Sequence, residues 1–184
     1  MPVEIVNGGG TGLRASVTED SGKGRLDVSS RMAERIYYSN RSGLSYAVRA
    51  SVTPAAANDV FFYMKNISTN TDLVIDWYRL YCGTNEGFDF FVNQDGEPGG
   101  SPTVLIPVNL NLSSGNSALG IFYEDSDITG LNVGNHIDRV HALANVDSVG
   151  RIPGGIRLTQ NTIFTIQALT GGLPVEATIG FHFE

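Results

Sequence analysis

The stretch Val175-Glu176-Ala177-Thr178-Ile179-Gly180-Phe181-His182-Phe183 decides the fold class, because its apolar residues alternate without exception. Successive side chains of a strand point to opposite faces, so Val175, Ala177, Ile179, Phe181 and Phe183 share one face and belong in a core. Glu176, Thr178 and His182 are expected outside. Just upstream, Thr162-Ile163-Phe164-Thr165-Ile166-Gln167-Ala168-Leu169 repeats the period with Phe164, Ile166 and Ala168 on one side. The link Thr170-Gly171-Gly172-Leu173-Pro174 is turn chemistry, so the two segments are expected to pair as an antiparallel hairpin. Pro174, at the start of its strand, removes no ladder bond.

Further out, Asp59-Val60-Phe61-Phe62-Tyr63-Met64-Lys65-Asn66-Ile67 and Asp72-Leu73-Val74-Ile75-Asp76-Trp77-Tyr78-Arg79-Leu80-Tyr81 are apolar on both faces for much of their length. Such strands lie centrally, covered by a second sheet or a neighbouring subunit. The linking Ser68-Thr69-Asn70-Thr71 has the size of a hairpin loop. Strands are also predicted over residues 45–52, 87–92, 103–112 and 118–123, and near 137–143 and 152–158. With two early strands the total is about ten, enough for two packed sheets. Apolar residues recur at helical spacing for no more than about two turns. The 22 glycines and 7 prolines interrupt anything longer. The fold expected is all-β: a two-sheet antiparallel β-sandwich of jelly-roll type with an extended N-terminal arm.

The first forty residues differ in character. Asn7-Gly8-Gly9-Gly10-Thr11-Gly12 buries little surface, and Leu13-Arg14-Ala15-Ser16-Val17-Thr18 with Arg25-Leu26-Asp27-Val28 reads as a small hairpin. Residues 27–36 hold at most one or two helical turns. The expected division is an arm and hairpin over 1–40 and a sandwich over 41–184.

A chain of 184 residues suits one domain with an unaided core. Twelve Lys and Arg against nineteen Asp and Glu leave a net charge of −7. That sign forgoes the counterion release behind nucleic-acid affinity and is repelled by anionic membranes, so neither partner is expected. No segment reaches the ~20 apolar residues of a membrane helix. The start Met1-Pro2-Val3-Glu4-Ile5-Val6 lacks the basic and apolar regions of a signal peptide, which points to synthesis and retention in a cytoplasm. Cys82 is the sole cysteine, in an apolar run, and is expected to be a buried small side chain, which implies a reduced compartment or simple indifference to redox.

Chemistry-bearing patterns are sparse. His136 and His141 are five apart, which in a regular strand puts them on opposite faces, and His182 stands on the outer face of the last strand. There is no His-x-His pair and no Gly-x-Ser-x-Gly elbow, and neither glycine string ends in the Lys-Ser/Thr of a phosphate loop. Glu124-Asp125-Ser126-Asp127-Ile128-Thr129-Gly130 offers hard oxygen ligands suited to calcium, or simply a solvated acidic turn. Trp77, Tyr78 and Tyr81, with Tyr37, Tyr38 and Tyr46, form either a sugar-stacking face or core and interface packing. No catalytic, cofactor-binding or metal-binding residue is assigned, and the chain is read as non-enzymatic.

Order and phrasing across most of the chain resemble the capsid decoration, or head-fibre, proteins of tailed phages, which have jelly-roll bodies. The resemblance is carried by Val3-Glu4-Ile5-Val6-Asn7-Gly8, by the hairpin around Arg14-Ala15-Ser16-Val17 and Arg25-Leu26-Asp27-Val28, and by Asn58-Asp59-Val60-Phe61-Phe62-Tyr63-Met64-Lys65-Asn66. Pro107-Val108-Asn109-Leu110-Asn111 with Ser114-Gly115-Asn116, Asp127-Ile128-Thr129-Gly130-Leu131, and Thr170-Gly171-Gly172 before the final strand complete it. The resemblance implies a homotrimer on the outer capsid surface of a virion, assembled in the host cytoplasm, with the major capsid protein as partner. Apolar arm residues Val3, Ile5, Val6 and Leu13 are the expected inter-subunit contacts. The alternative is a receptor- or glycan-binding module of a phage head or tail fibre.

Overall fold

The computed structural model describes residues 5–6, 14–15, 17–20, 23–26, 39–93, 96–132 and 134–184. Backbone packing divides the chain into Met1–Ala33 and Glu34–Glu184. In the first unit, β1 (Ile5–Val6) pairs antiparallel with β2 (Arg14–Ala15), and β3 (Val17–Asp20) with β4 (Lys23–Leu26). The β3–β4 pair overlaps the hairpin expected there.

Among the described residues of the second unit, 39–41 are helical and eleven strands follow. They are β5 (Ser45–Val52), β6 (Asp59–Asn66), β7 (Leu73–Cys82), β8 (Glu86–Val92), β9 (Thr103–Val104), β10 (Val108–Asn109), β11 (Gly120–Glu124), β12 (Asn135–Ala142), β13 (Ser148–Leu158), β14 (Ile163–Ala168) and β15 (Val175–Phe183). One sheet has the order β10-β5-β15-β7-β13 and the other β12-β8-β14-β6-β11-β9, with every pairing antiparallel. Without β9–β11, the remaining eight strands run in jelly-roll order. The β9–β11 segment is an insertion that widens one side of both sheets.

The core lies between the sheets, and alternation fills it as expected. Val175, Ala177, Ile179, Phe181 and Phe183 from β15 and Tyr46, Val48 and Ala50 from β5 are all buried. Aromatic contacts tie the sheets together: Phe122 stacks on Phe181 at 5.2 Å, and Tyr78 meets the edge of Phe90 at 5.2 Å. Offset and edge-to-face pairs add roughly 0.5–1.5 kcal/mol each beyond their buried area.

The two hairpins expected in residues 59–81 and 162–183 are instead crossings from one sheet to the other. β14 lies between β6 and β8, whereas β15 lies between β5 and β7. Each strand is fully hydrogen-bonded by its own neighbours, and their apolar faces oppose one another across the core. Gly171 makes the crossing possible: its φ is +70°, and a Cβ there would lie 2.1 Å from the Ala56 carbonyl oxygen. β6 and β7 are likewise in different sheets. Their link is held by Ser68 Oγ, which accepts from the backbone of Asn70 and Thr71. Buried Asn66 donates to the carbonyls of Thr71 and Leu158, both at 2.9 Å.

β6 is covered on both faces, as its composition demands, and the cover is the chain's own. A bulge opposite Ile166 and Gln167 leaves Phe61 as the extra residue. Phe61 and Phe62 therefore both enter the main core, while Val60 and Tyr63 join a smaller cluster with Ile128 and Ile163. The outer face of β7 is covered only in part: Val74 is buried, but Asp76, Trp77 and Tyr81 are half-buried and Arg79 is exposed.

Candidate functional site

Residues 98–123 contain no charged side chain, in a chain whose net charge is −7. The expected strand over 103–112 is broken in two here. β9 pairs with β11 at the edge of one sheet (Val104 with Tyr123), and β10 pairs with β5 at the edge of the other (Val108 with Ala47). The three residues between them bridge the side of the sandwich.

Along this bridge the usual amphipathic arrangement is inverted. Leu105 packs against the core, and Asn109 turns inward to donate to the carbonyls of Gly43 (2.9 Å) and Asn116 (3.1 Å). Asn111 and Asn116 add donations to the carbonyls of Arg41 and Gly43, both 3.3 Å. The alternate residues face solvent: Val104 is 65% exposed, Ile106 86%, Val108 59%, Leu110 38% and Leu112 90%. Leu119, 52% exposed, is a further apolar residue of the same uncharged segment. Single exposed apolar residues are ordinary, but five at alternate positions within one uncharged segment make this stretch the candidate interaction surface. The alternation is visible in Val104-Leu105-Ile106-Pro107-Val108-Asn109-Leu110-Asn111-Leu112, but by the usual rule it would send the apolar set inward.

The polar groups form tight pairs. A bulge at Ile137 brings His136, Arg139 and His141 to one face of β12, opposite Phe91, Asp89 and Gly87, which overturns the opposite-face reading of the two histidines. Arg139 holds Asp89 through two bonds of 2.6 and 2.8 Å, and His136 Nε2 lies 3.1 Å from the same carboxylate. The Arg139 hydrogen bond keeps the Asp89 carboxyl below the usual carboxylate range. Among the described residues, no three His, Cys, Asp or Glu side chains converge as a metal site would need. In the acidic turn, Glu124 accepts from the Ser51 amide at 2.7 Å and Asp125 from the Ser126 amide at 2.6 Å. Cys82 is buried, and burial pushes its thiol pKa up.

His182 is on the outer side of β15 but is buried, contrary to the expectation of an exposed residue. Asp76 is the extra residue of a bulge where β7 pairs with Gly180 and Phe181 of β15. Its Oδ2 accepts from His182 Nδ1 at 2.7 Å, and Glu184 Oε2 lies 3.5 Å from Nε2. The expected aromatic platform is divided: Tyr46 and Tyr78 turn to the core, Trp77 and Tyr81 face outward, and Tyr37 and Tyr38 lie outside the described residues.

No family model, curated protein or solved structure matches this chain. Of the expected arm contacts, Ile5 and Val6 form β1, while Val3 and Leu13 lie outside the described residues.

Proposed function

We propose that this chain is a non-enzymatic virion protein of the capsid decoration type, which self-associates through the apolar row and cements an assembled shell. The row from Val104 to Leu112 is the observation that carries the reading. Copies that each bear −7 repel one another, so they meet most readily through a face without charge, and residues 98–123 supply one. The jelly-roll body provides a rigid mount, and the phrasing shared with phage decoration proteins supplies the class of partner. In this reading the row joins three copies, and arm residues Val3, Ile5, Val6 and Leu13 reach the major capsid protein. Binding the assembled shell but not its free subunits stabilises the shell by mass action.

Mass photometry of the purified chain, followed by sedimentation with undecorated capsids, tests this directly. Trimers that bind the capsids, with binding lost on removal of residues 1–12, support the proposal. A monomer at micromolar concentration that leaves capsids undecorated overturns it.

A further inference from the structure

A second feature shares no residue with the apolar row. On the outer face of the five-stranded sheet, two irregularities meet. Asp76 leaves the ladder of β7, and opposite it β13 departs from β7 between Arg151 and Ile156. Residues 152–155 of that excursion wall a cavity of about 870 Å³, with Asp76, Trp77, Arg151 and His182 among its lining. The volume lies within the roughly 300–1,000 Å³ typical of small-molecule sites. Gly155 allows the wall to stand close, since its φ is +72° and a Cβ would lie 2.2 Å from Val74 Cγ1.

The chemistry of the lining selects among ligands. Trp77 is the only tryptophan of the chain, and its indole covers Gly180, where a Cβ would come within 2.0 Å of the ring. Val74, Ile152 and Pro153 add apolar surface. Asp76 supplies an acceptor, Arg151 donors, and residues 152–155 bring backbone groups released from the ladder with β7. Both signs of charge are present, since Asp76 pairs with His182 and Arg151 is a further residue of the lining. An anion meets Asp76 and a cation meets Arg151, so neither is favoured. A neutral molecule with an apolar face and hydroxyls that both donate and accept satisfies the whole set. Pyranose rings have this character: their C–H faces stack on aromatic rings while hydroxyls at the rim pair with carboxylate and guanidinium groups.

We infer that the cavity between β7, β13 and β15 binds a neutral pyranose unit of a glycan, stacked on Trp77 and hydrogen-bonded by Asp76 and Arg151. The site stands independently of the self-association reading and gives the assembled protein a glycan-recognition surface.

The test uses Trp77 as its own reporter. The full chain is titrated with methyl α-glucopyranoside, methyl α-mannopyranoside and methyl β-galactopyranoside while tryptophan emission and acrylamide quenching are followed. At least one sugar should give a saturable emission change at millimolar concentration and shield Trp77 from acrylamide. Arg151→Ala, at an exposed position, should weaken that response about tenfold, as loss of a charged hydrogen bond does. Asp76→Asn, with its fold checked by circular dichroism, should do the same. No saturable change with any of the three sugars overturns the inference, as does a response undiminished by Arg151→Ala. Tighter binding of glucuronate than of the glucoside overturns the assignment of a neutral ligand.

Discussion

Replacing Ile106 and Leu112 together by serine separates a surface that packs against a partner from one that is merely exposed. Both side chains stand almost entirely in solvent in the single chain. Their removal should therefore leave the folded unit within roughly ±0.5 kcal/mol of its original stability, as for ordinary surface substitutions. In the proposed assembly the same side chains would be covered. Burying a large aliphatic side chain is worth about 1.5–3 kcal/mol, so the two together contribute about 3–6 kcal/mol per protomer at the interface. At about 1.4 kcal/mol per factor of ten, the association constant should fall by at least two orders of magnitude. Mass photometry across a dilution series measures the association, and urea denaturation at a concentration where both proteins are monomeric measures the fold. An unchanged oligomer distribution refutes the argument. So does a loss of monomer stability as large as that of a core truncation, since it would mean that these residues pack within their own chain.

Phe181→Ala removes a ring that touches Tyr46, Phe122 and Phe183, so chemical denaturation should show a loss of about 3–5 kcal/mol. Gly171→Ala places a methyl group against the Ala56 carbonyl at a positive φ and should destabilise by more than about 1 kcal/mol; a neutral result would mean that the link between sheets takes another path. His182 is faced by Asp76 from β7 and by Glu184, which Arg157 of β13 holds together with Asp72. Burial lowers the His182 pKa, but the hydrogen bonds and charges of Asp76 and Glu184 outweigh it, and the net shift is above 6.5. The stabilisation from protonated His182 is thus fully present below pH 6.5 and is lost as pH rises through the higher folded value. Urea midpoints measured from pH 6 to 9 should fall on this account, and His182→Gln should flatten the decline. Asp89 works in the opposite sense: its folded pKa lies below 3.8, so its contribution is present above that pH and disappears on further acidification, a loss that Asp89→Asn should abolish.

Much of the molecule is legible in local pattern. The inward residues of β5 and β15, the burial of Cys82 and the two-sheet sandwich follow from alternation and turn chemistry, which act over a few residues. The candidate surface was only half legible. Its alternation and lack of charge are visible in residues 103–112, but which set of side chains points outward depends on Asn109, Asn111 and Asn116 finding carbonyls in the turn at residues 41–43. Sequence alone therefore determined that this chain is a series of strands, most with one apolar side and the two central ones with both, because a period of two leaves little choice of local conformation. Only the tertiary structure decided which sheet each strand joins and where parity slips. Strand pairing is a contest among distant segments of similar character, and a single bulged residue, such as Phe61, Asp76 or Ile137, exchanges the faces of everything beyond it.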